Sequence, residues 1–152
     1  MNIFVLDINP VLAAQYLCDK HVVKMVLEST QILSTINGGP YKPTHVNHPC
    51  VQWAKSRAGN YQWLFSHAIA LCDEYTIRYG KKHKCEDVIM SMPHIMPPPG
   101  VSEFVQCMPE QYRGDNVVEA YRRYYVGEKA GFARWTNRNI PEWFINLQAQ
   151  GD

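Results

Sequence analysis

Four side chains near the start of the sequence, His21, Lys24, Glu28 and Gln31, stand at successive spacings of 3, 4 and 3 residues. On a helix that spacing lines them along one face. A carboxylate beside an imidazole and an amine is a workable acid/base set, able to take a proton from one substrate atom and return it to another. The same pattern also fits a solvated face carrying a Lys24–Glu28 ion pair, worth about 0.3 kcal/mol. Spacing alone leaves both readings open.

Three further groups carry chemical potential. In Thr44-His45-Val46-Asn47-His48-Pro49-Cys50 the two histidines and the cysteine could ligate a metal, with Cys18 and His21 as further donors. Zinc sites show tighter paired ligands and no CxxC or HExxH is present, so no metal is expected. The loop histidines are expected to bond backbone groups ahead of Pro49. The stretch Pro93–Gly100 around His94 is too rich in proline for a helix or a central strand and reads as stiff structural cover. Near the C-terminus Arg113, Arg122, Arg123, Lys129, Arg134 and Arg138 interleave with Tyr121, Tyr124, Tyr125, Phe132, Trp135 and Trp143. Basic residues among aromatics can grip phosphates and stack on unpaired bases. The plainer reading packs the aromatics inside and leaves the arginines in water, and Glu110, Asp115, Glu119 and Glu128 dilute the charge.

The elements that must position these residues read as mostly helical. Residues 2–6 are apolar strand formers stopped by Asp7 and Asn9-Pro10, which fits one short strand or an extended segment on the core. From Pro10 to about Ile36 there is no further glycine or proline, and Ala14, Cys18, Val22, Met25, Ile32 and Ile36 recur at helical spacing. A single long helix is expected there, ended by Asn37-Gly38-Gly39-Pro40. Further helices are expected at 49–57, at 59–79 with Gly80 just past its end, at about 115–130 and at about 141–148. With no repeats and no long linker, the chain reads as a mainly α, compact single domain over 1–152.

Composition narrows the function. The 152 residues carry 15 Lys+Arg against 14 Asp+Glu, a net charge of +1, which excludes a polybasic protein that coats nucleic acid by charge alone. At 46% apolar the chain has ample material for a core. No apolar run reaches the roughly 18–20 residues that span a bilayer, and the opening lacks a basic n-region, so no membrane partner is expected. The five cysteines are odd in number and form no CxxC pair, which points to buried thiols in a reducing cytoplasm.

The stretch Asp19-Lys20-His21 through Glu28 resembles the catalytic helix of the phage pyrimidine-dimer DNA glycosylases of the endonuclease V type. There a histidine stands seven residues before the catalytic glutamate, and His21 and Glu28 keep that interval. Pro109-Glu110-Gln111-Tyr112-Arg113-Gly114-Asp115 is similar to a Pro-[acid/amide]-x-aromatic-Arg-Gly-Asp segment of the same family. Trp135 lies near the family's Trp-Tyr-rich tail, and Met1–Leu6 and Tyr41…His48-Pro49 resemble bacterial proteins grouped with it. The likeness runs through most of the chain in scattered islands.

The resemblance implies a compact helical fold, no cofactor, and base excision from damaged or modified duplex DNA with a strand-cleaving lyase step. Glu28 would be the acid/base carboxylate, His21 a phosphate or sugar contact, and Arg113 the anchor of the C-terminal segment. With Lys24, these give the catalytic candidates Glu28, His21 and Lys24, and the nucleic-acid contacts Lys20, His48, Arg113, Arg122, Arg123, Arg134 and Trp135. Two positions depart from the family. Its nucleophile is an amino-terminal threonine, whereas here Asn2 follows Met1, so the amine would be that of Met1 folding back, or Lys20 or Lys24. The family also has arginine directly before the glutamate, and this chain has Leu27. Two rival functions stand beside this one: an enzyme using the same helix face on free nucleotides or bases, and a phage-type protein that binds a host factor without catalysis.

Overall fold

The computed structural model describes residues 1–93 and 100–151. Among them the regular structure is helical and no residue lies in a β-strand, so the mainly α expectation holds. His94 and the prolines of the proposed cover, at 94–99, lie outside the described residues.

Helix α1 (Pro10–Tyr16) starts on Asn9, whose Oδ1 accepts the Val11 and Leu12 N–H groups at 2.9 and 3.2 Å, with Pro10 in the first turn. Helix α2 (Asp19–Asn37) ends at Gly38, whose φ of 77° is the left-handed cap the Asn-Gly-Gly-Pro run implied. The single helix expected from Pro10 to Ile36 is therefore two. Leu17 and Cys18 are extended although neither is glycine or proline. Tertiary partners stabilise the break. Arg78 donates to Leu17 O at 2.6 Å and to Gln15 O at 2.9 Å, Cys18 N–H donates to the Tyr125 hydroxyl at 3.1 Å, and Asp19 N–H to Arg134 O at 2.7 Å. Groups remote in sequence thus satisfy the helix-end carbonyls and amides that a break would otherwise orphan.

Helix α3 (Pro49–Ser56) starts on His48, and α4 (Ala58–Tyr79) ends at Gly80 with φ 69°. Buried along its length, α4 packs against α1, α2, α3 and the short α5 (Glu86–Met90). A 3-10 turn (Glu110–Tyr112) precedes α6 (Val117–Glu128), which packs on that turn and on α7 (Glu142–Gln150). A Cβ on Gly127 would collide with the Tyr112 ring, so only glycine lets the turn and α6 meet this closely.

An ion cluster ties α4 to the C-terminal loop. Glu74, 2% exposed, accepts from Arg78 Nε at 3.2 Å and Arg138 Nε at 2.9 Å. Arg78 also reaches Asp19 at 3.2 Å, and Asp19 accepts Thr136 N–H at 3.0 Å.

Residues Ile3–Leu6 are buried and lie on the core without strand pairing, but the segment is kinked rather than extended throughout, with Leu6 N–H donating to Phe4 O at 2.9 Å. Their backbone is satisfied by side chains. Asn2 Oδ1 accepts Ile3 N–H at 2.8 Å and Phe4 N–H at 3.2 Å, and Leu6 O accepts from Arg122 Nε at 3.0 Å. Phe4 has a φ of 57°, a left-handed conformation that a bulky side chain adopts only when its surroundings hold it.

Candidate active site

Glu28, on α2, is 8% exposed. Its Oε1 accepts Asn2 N–H at 3.0 Å and lies 3.7 Å from the Met1 α-amine, while Oε2 lies 3.7 Å from Lys24 Nζ. The two amines differ in setting. The Lys24 side chain is 68% exposed at the rim, whereas the Met1 side chain is 2% exposed and anchors the end of the chain. Met1 as a whole is only half-buried, so what it leaves open is its backbone end.

Asn2 fixes that end. Its Nδ2 donates to Cys107 O at 2.7 Å, and its Oδ1 accepts from the Tyr121 hydroxyl at 3.0 Å. The Tyr121 oxygen in turn accepts Cys107 N–H at 3.0 Å. Burial pushes the Tyr121 phenol well above its ordinary range, so it stays a donor.

His21 is packed inside the same wall. Its Nδ1 is 2.6 Å from the Tyr125 hydroxyl, its ring stacks on Phe4 at 4.3 Å between centroids, and Phe132 meets it edge-on. Burial lowers its pKa to about 4, with the Lys129 and Lys24 charges adding to the effect. Tyr125, pushed well above its ordinary range by burial, keeps its proton, with His21 Nδ1 at 2.6 Å and Cys18 Sγ, which accepts from it, at 3.3 Å. His21 is thus neutral near pH 7, and it can touch a phosphate or sugar only by hydrogen bonding, not by charge. The solvated-face alternative fails for both His21 and Glu28, which are buried. Two further cations lie over the surrounding aromatic rings. Lys20 Nζ lies 4.9 Å over Phe132, and Lys129 Nζ lies 4.9 Å over Tyr124 and 6.0 Å over Phe4.

A sequence model of the pyrimidine dimer DNA glycosylase family matches residues 1–87, more than half of the chain. The chain belongs to the pyrimidine dimer DNA glycosylase family. The family match takes in Met1, Lys20, His21, Lys24, Glu28 and His48, and it ends before the Met108–Asp115 segment. No curated protein and no solved structure matches the chain.

Within this family member, the remaining candidates divide. His48 feels the charges of both the Met1 amine and Glu28, which places it beside the site; burial lowers its pKa. Arg113 clasps its own segment through Met108 O at 2.9 Å, and its charge reaches Cys107. Arg123 and Arg134 are exposed, with guanidinium contacts to Tyr112 O and Ala133 O. Two candidates are turned inward. Arg122 is held by Leu6 O and Asp7 and lies over the Tyr16 and Trp143 rings. Trp135, expected to stack on nucleic acid, is 7% exposed, with its Nε1 on Tyr16 O at 2.8 Å and its ring against Phe144.

Sequence reasoning missed Asn2 and Phe4 as site residues, and it placed Tyr121, Tyr125 and Lys129 only in the basic-aromatic C-terminal group, not beside Glu28. Only the left-handed Phe4 and Asn2, whose side chain alone makes four hydrogen bonds, mark them, and both are tertiary features. The structure also brings Cys107 to Cys50, with 3.6 Å between the sulfurs. Their contact raises the Cys50 pKa and lowers that of Cys107 to about 7, the latter aided by the Met1 amine and Arg113. A cleft of about 1030 Å³ lies elsewhere, between Gln15, Arg122, Arg138 and Trp143.

Proposed function

We propose that the protein excises a damaged or modified base from duplex DNA, with the Met1 α-amine as nucleophile and Glu28 as acid/base. The observation that carries this is the Glu28 carboxylate facing that amine at 3.7 Å. As a class, α-amines titrate about two to three pH units below lysine side chains, so near neutral pH far more of an α-amine is in the nucleophilic form. That favours Met1 over Lys24, which stands equally far from the carboxylate.

In this reading the amine lone pair forms a bond to the sugar C1′ as the bond to the base breaks, and its electrons leave with the base. Glu28 stabilises the positive charge on the sugar and carries the proton lost by the amine to the ring oxygen, which opens the sugar to an imine. Loss of a C2′ proton then expels the 3′ phosphate. Lys20, Lys24 and Lys129 supply phosphate contacts, and neutral His21 offers a hydrogen bond to the sugar or a phosphate. In this reading a duplex lies across the surface with one nucleotide extruded, for a few kcal/mol of lost stacking.

The test mixes the protein with duplexes carrying an abasic site or a cyclobutane pyrimidine dimer, then adds borohydride. The expected result is a covalent adduct mapping to the peptide containing Met1, absent in Glu28→Gln although that variant melts like the parent. Residues added ahead of Met1 should also remove it. An adduct on Lys20 or Lys24 would overturn the choice of amine. With no adduct and no scission the base-excision reading fails, and tight binding of free nucleotides without duplex would replace it.

A further inference from the structure

Sequence spacing grouped His45, His48 and Cys50 and found too few well-placed donors for a metal. Folding replaces one of them with a residue from the other half of the chain. The ligand atoms of His48, Cys50 and Cys107 all lie within 4.8 Å of one another. We propose that these three side chains bind one thiophilic divalent cation, of which zinc is the leading case, beside the Glu28 carboxylate.

The geometry fits such an ion. Two sulfurs each about 2.3 Å from a tetrahedral zinc stand about 3.8 Å apart, and the Cys50 and Cys107 sulfurs are 3.6 Å apart. Both are free thiols. Two thiolates and an imidazole are a zinc donor set with one position left open, and their softness selects against magnesium and calcium.

The frame around the donors is already built. Cys50 sits in the first turn of α3, and the Cys107 backbone is held on both sides, by the Tyr121 hydroxyl and by Asn2 Nδ2. Backing of this kind orients ligands before a metal arrives. The His48 ring already touches the group, its Nδ1 accepting Cys50 N–H at 3.0 Å. One lone pair cannot serve both partners, so ligation through Nδ1 gives up that hydrogen bond, and ligation through Nε2 requires the ring to turn. His45 is excluded by the same geometry, since its Nδ1 is engaged with Thr44 Oγ1 at 2.7 Å and it takes no part in the group.

Because Cys107 also carries the carbonyl that anchors Asn2, a bound cation would clamp α3 to the segment that holds the chain's first residues. The proposal does not depend on base excision.

The experiment titrates cobalt(II) alone into the reduced, full-length chain, follows the thiolate-to-cobalt charge-transfer absorption, and then displaces the cobalt with zinc. The expected result is saturation at one equivalent. Cys107→Ser should weaken binding by roughly 100-fold or more, beyond what loss of an outer-shell partner costs. His48→Ala should weaken it too, whereas His45→Ala, Cys72→Ser and Glu28→Gln should bind like the parent. Glu28→Gln separates this outcome from the fate of the catalytic reading. Circular dichroism checks the fold of each variant, and half-exposed Cys107 carries the test if Cys50→Ser does not fold. The proposal is overturned if no thiolate band saturates at one equivalent with the thiols reduced. It is equally overturned if Cys107→Ser binds like the parent, or if His45→Ala abolishes binding.

Discussion

Glu28 and Glu74 are both hidden from solvent, at 8% and 2% exposure, yet their surroundings differ in kind. Glu74 is saturated by two guanidinium groups, and Arg78, one of the two, is itself tied to Asp19 and to two helix-end carbonyls. Glu28 has one backbone N–H at hydrogen-bond distance and two amines, each 3.7 Å away. A carboxylate with its lone pairs fully engaged fastens elements together. One that is buried but incompletely engaged keeps lone pairs for a substrate's protons and positive charge, and the fold must support it by other means. Here the support comes from Asn2 and the aromatic wall of Phe4, Tyr121 and Tyr125.

The sharpest way to break this contrast is Glu74→Ala. It removes one of the two carboxylates paired with the fully buried Arg78 side chain and leaves Asp19 as the other, and should cost about 3 kcal/mol in urea denaturation. A cost as small as that of a surface substitution would mean that the cluster is no fastening. The acid response probes the Glu28 side. His21 and His67 have pKa values lowered by burial to about 4, against 6.5 in an unfolded chain. Between those values the unfolded chain binds more protons than the folded one, so stability falls as pH drops from about 6.5 to 4, by up to about 3 kcal/mol for each histidine. His21→Phe should shrink that loss, as followed by melting across the pH range; an unchanged pH dependence would show that His21 is not held neutral.

Arg122→Ala tests whether a cation near the site fastens or binds. Losing its bonds to Leu6 O and Asp7 should lower stability by about 1–3 kcal/mol. Unchanged melting with weaker duplex binding would instead make it a phosphate contact. The smallest expected effect is that of Glu28→Gln on stability, within about 1 kcal/mol, because the amide oxygen can still accept the Asn2 N–H. A loss near that of Glu74→Ala would make Glu28 structural and end the comparison.

What the sequence disclosed was local. Gly38 and Gly80 end their helices because a left-handed residue is a local demand, and the His21–Glu28 interval shows one helix face because periodicity is local. Which way that face turns was not readable, since Phe4, Asn2 and Tyr125 cover it from elsewhere in the chain. The break at Leu17-Cys18 was invisible for the same reason: its stabilising partners are Arg78, Tyr125 and Arg134. Trp135 looked like a base-stacking residue beside its arginines, but Tyr16 O and Phe144 claim it for the interior. Cys107 had no neighbour in sequence to mark it as a partner of Cys50.

The bonds of Asn2 also set an order of events in the life of the chain. Its side chain is held by Cys107 and Tyr121, and the wall behind it needs Tyr125. Residues 1–6 therefore find their places only after the segment around Cys107 to Tyr125 has been made. A nascent or clipped chain holds the glutamate and the amine in the same molecule but not face to face.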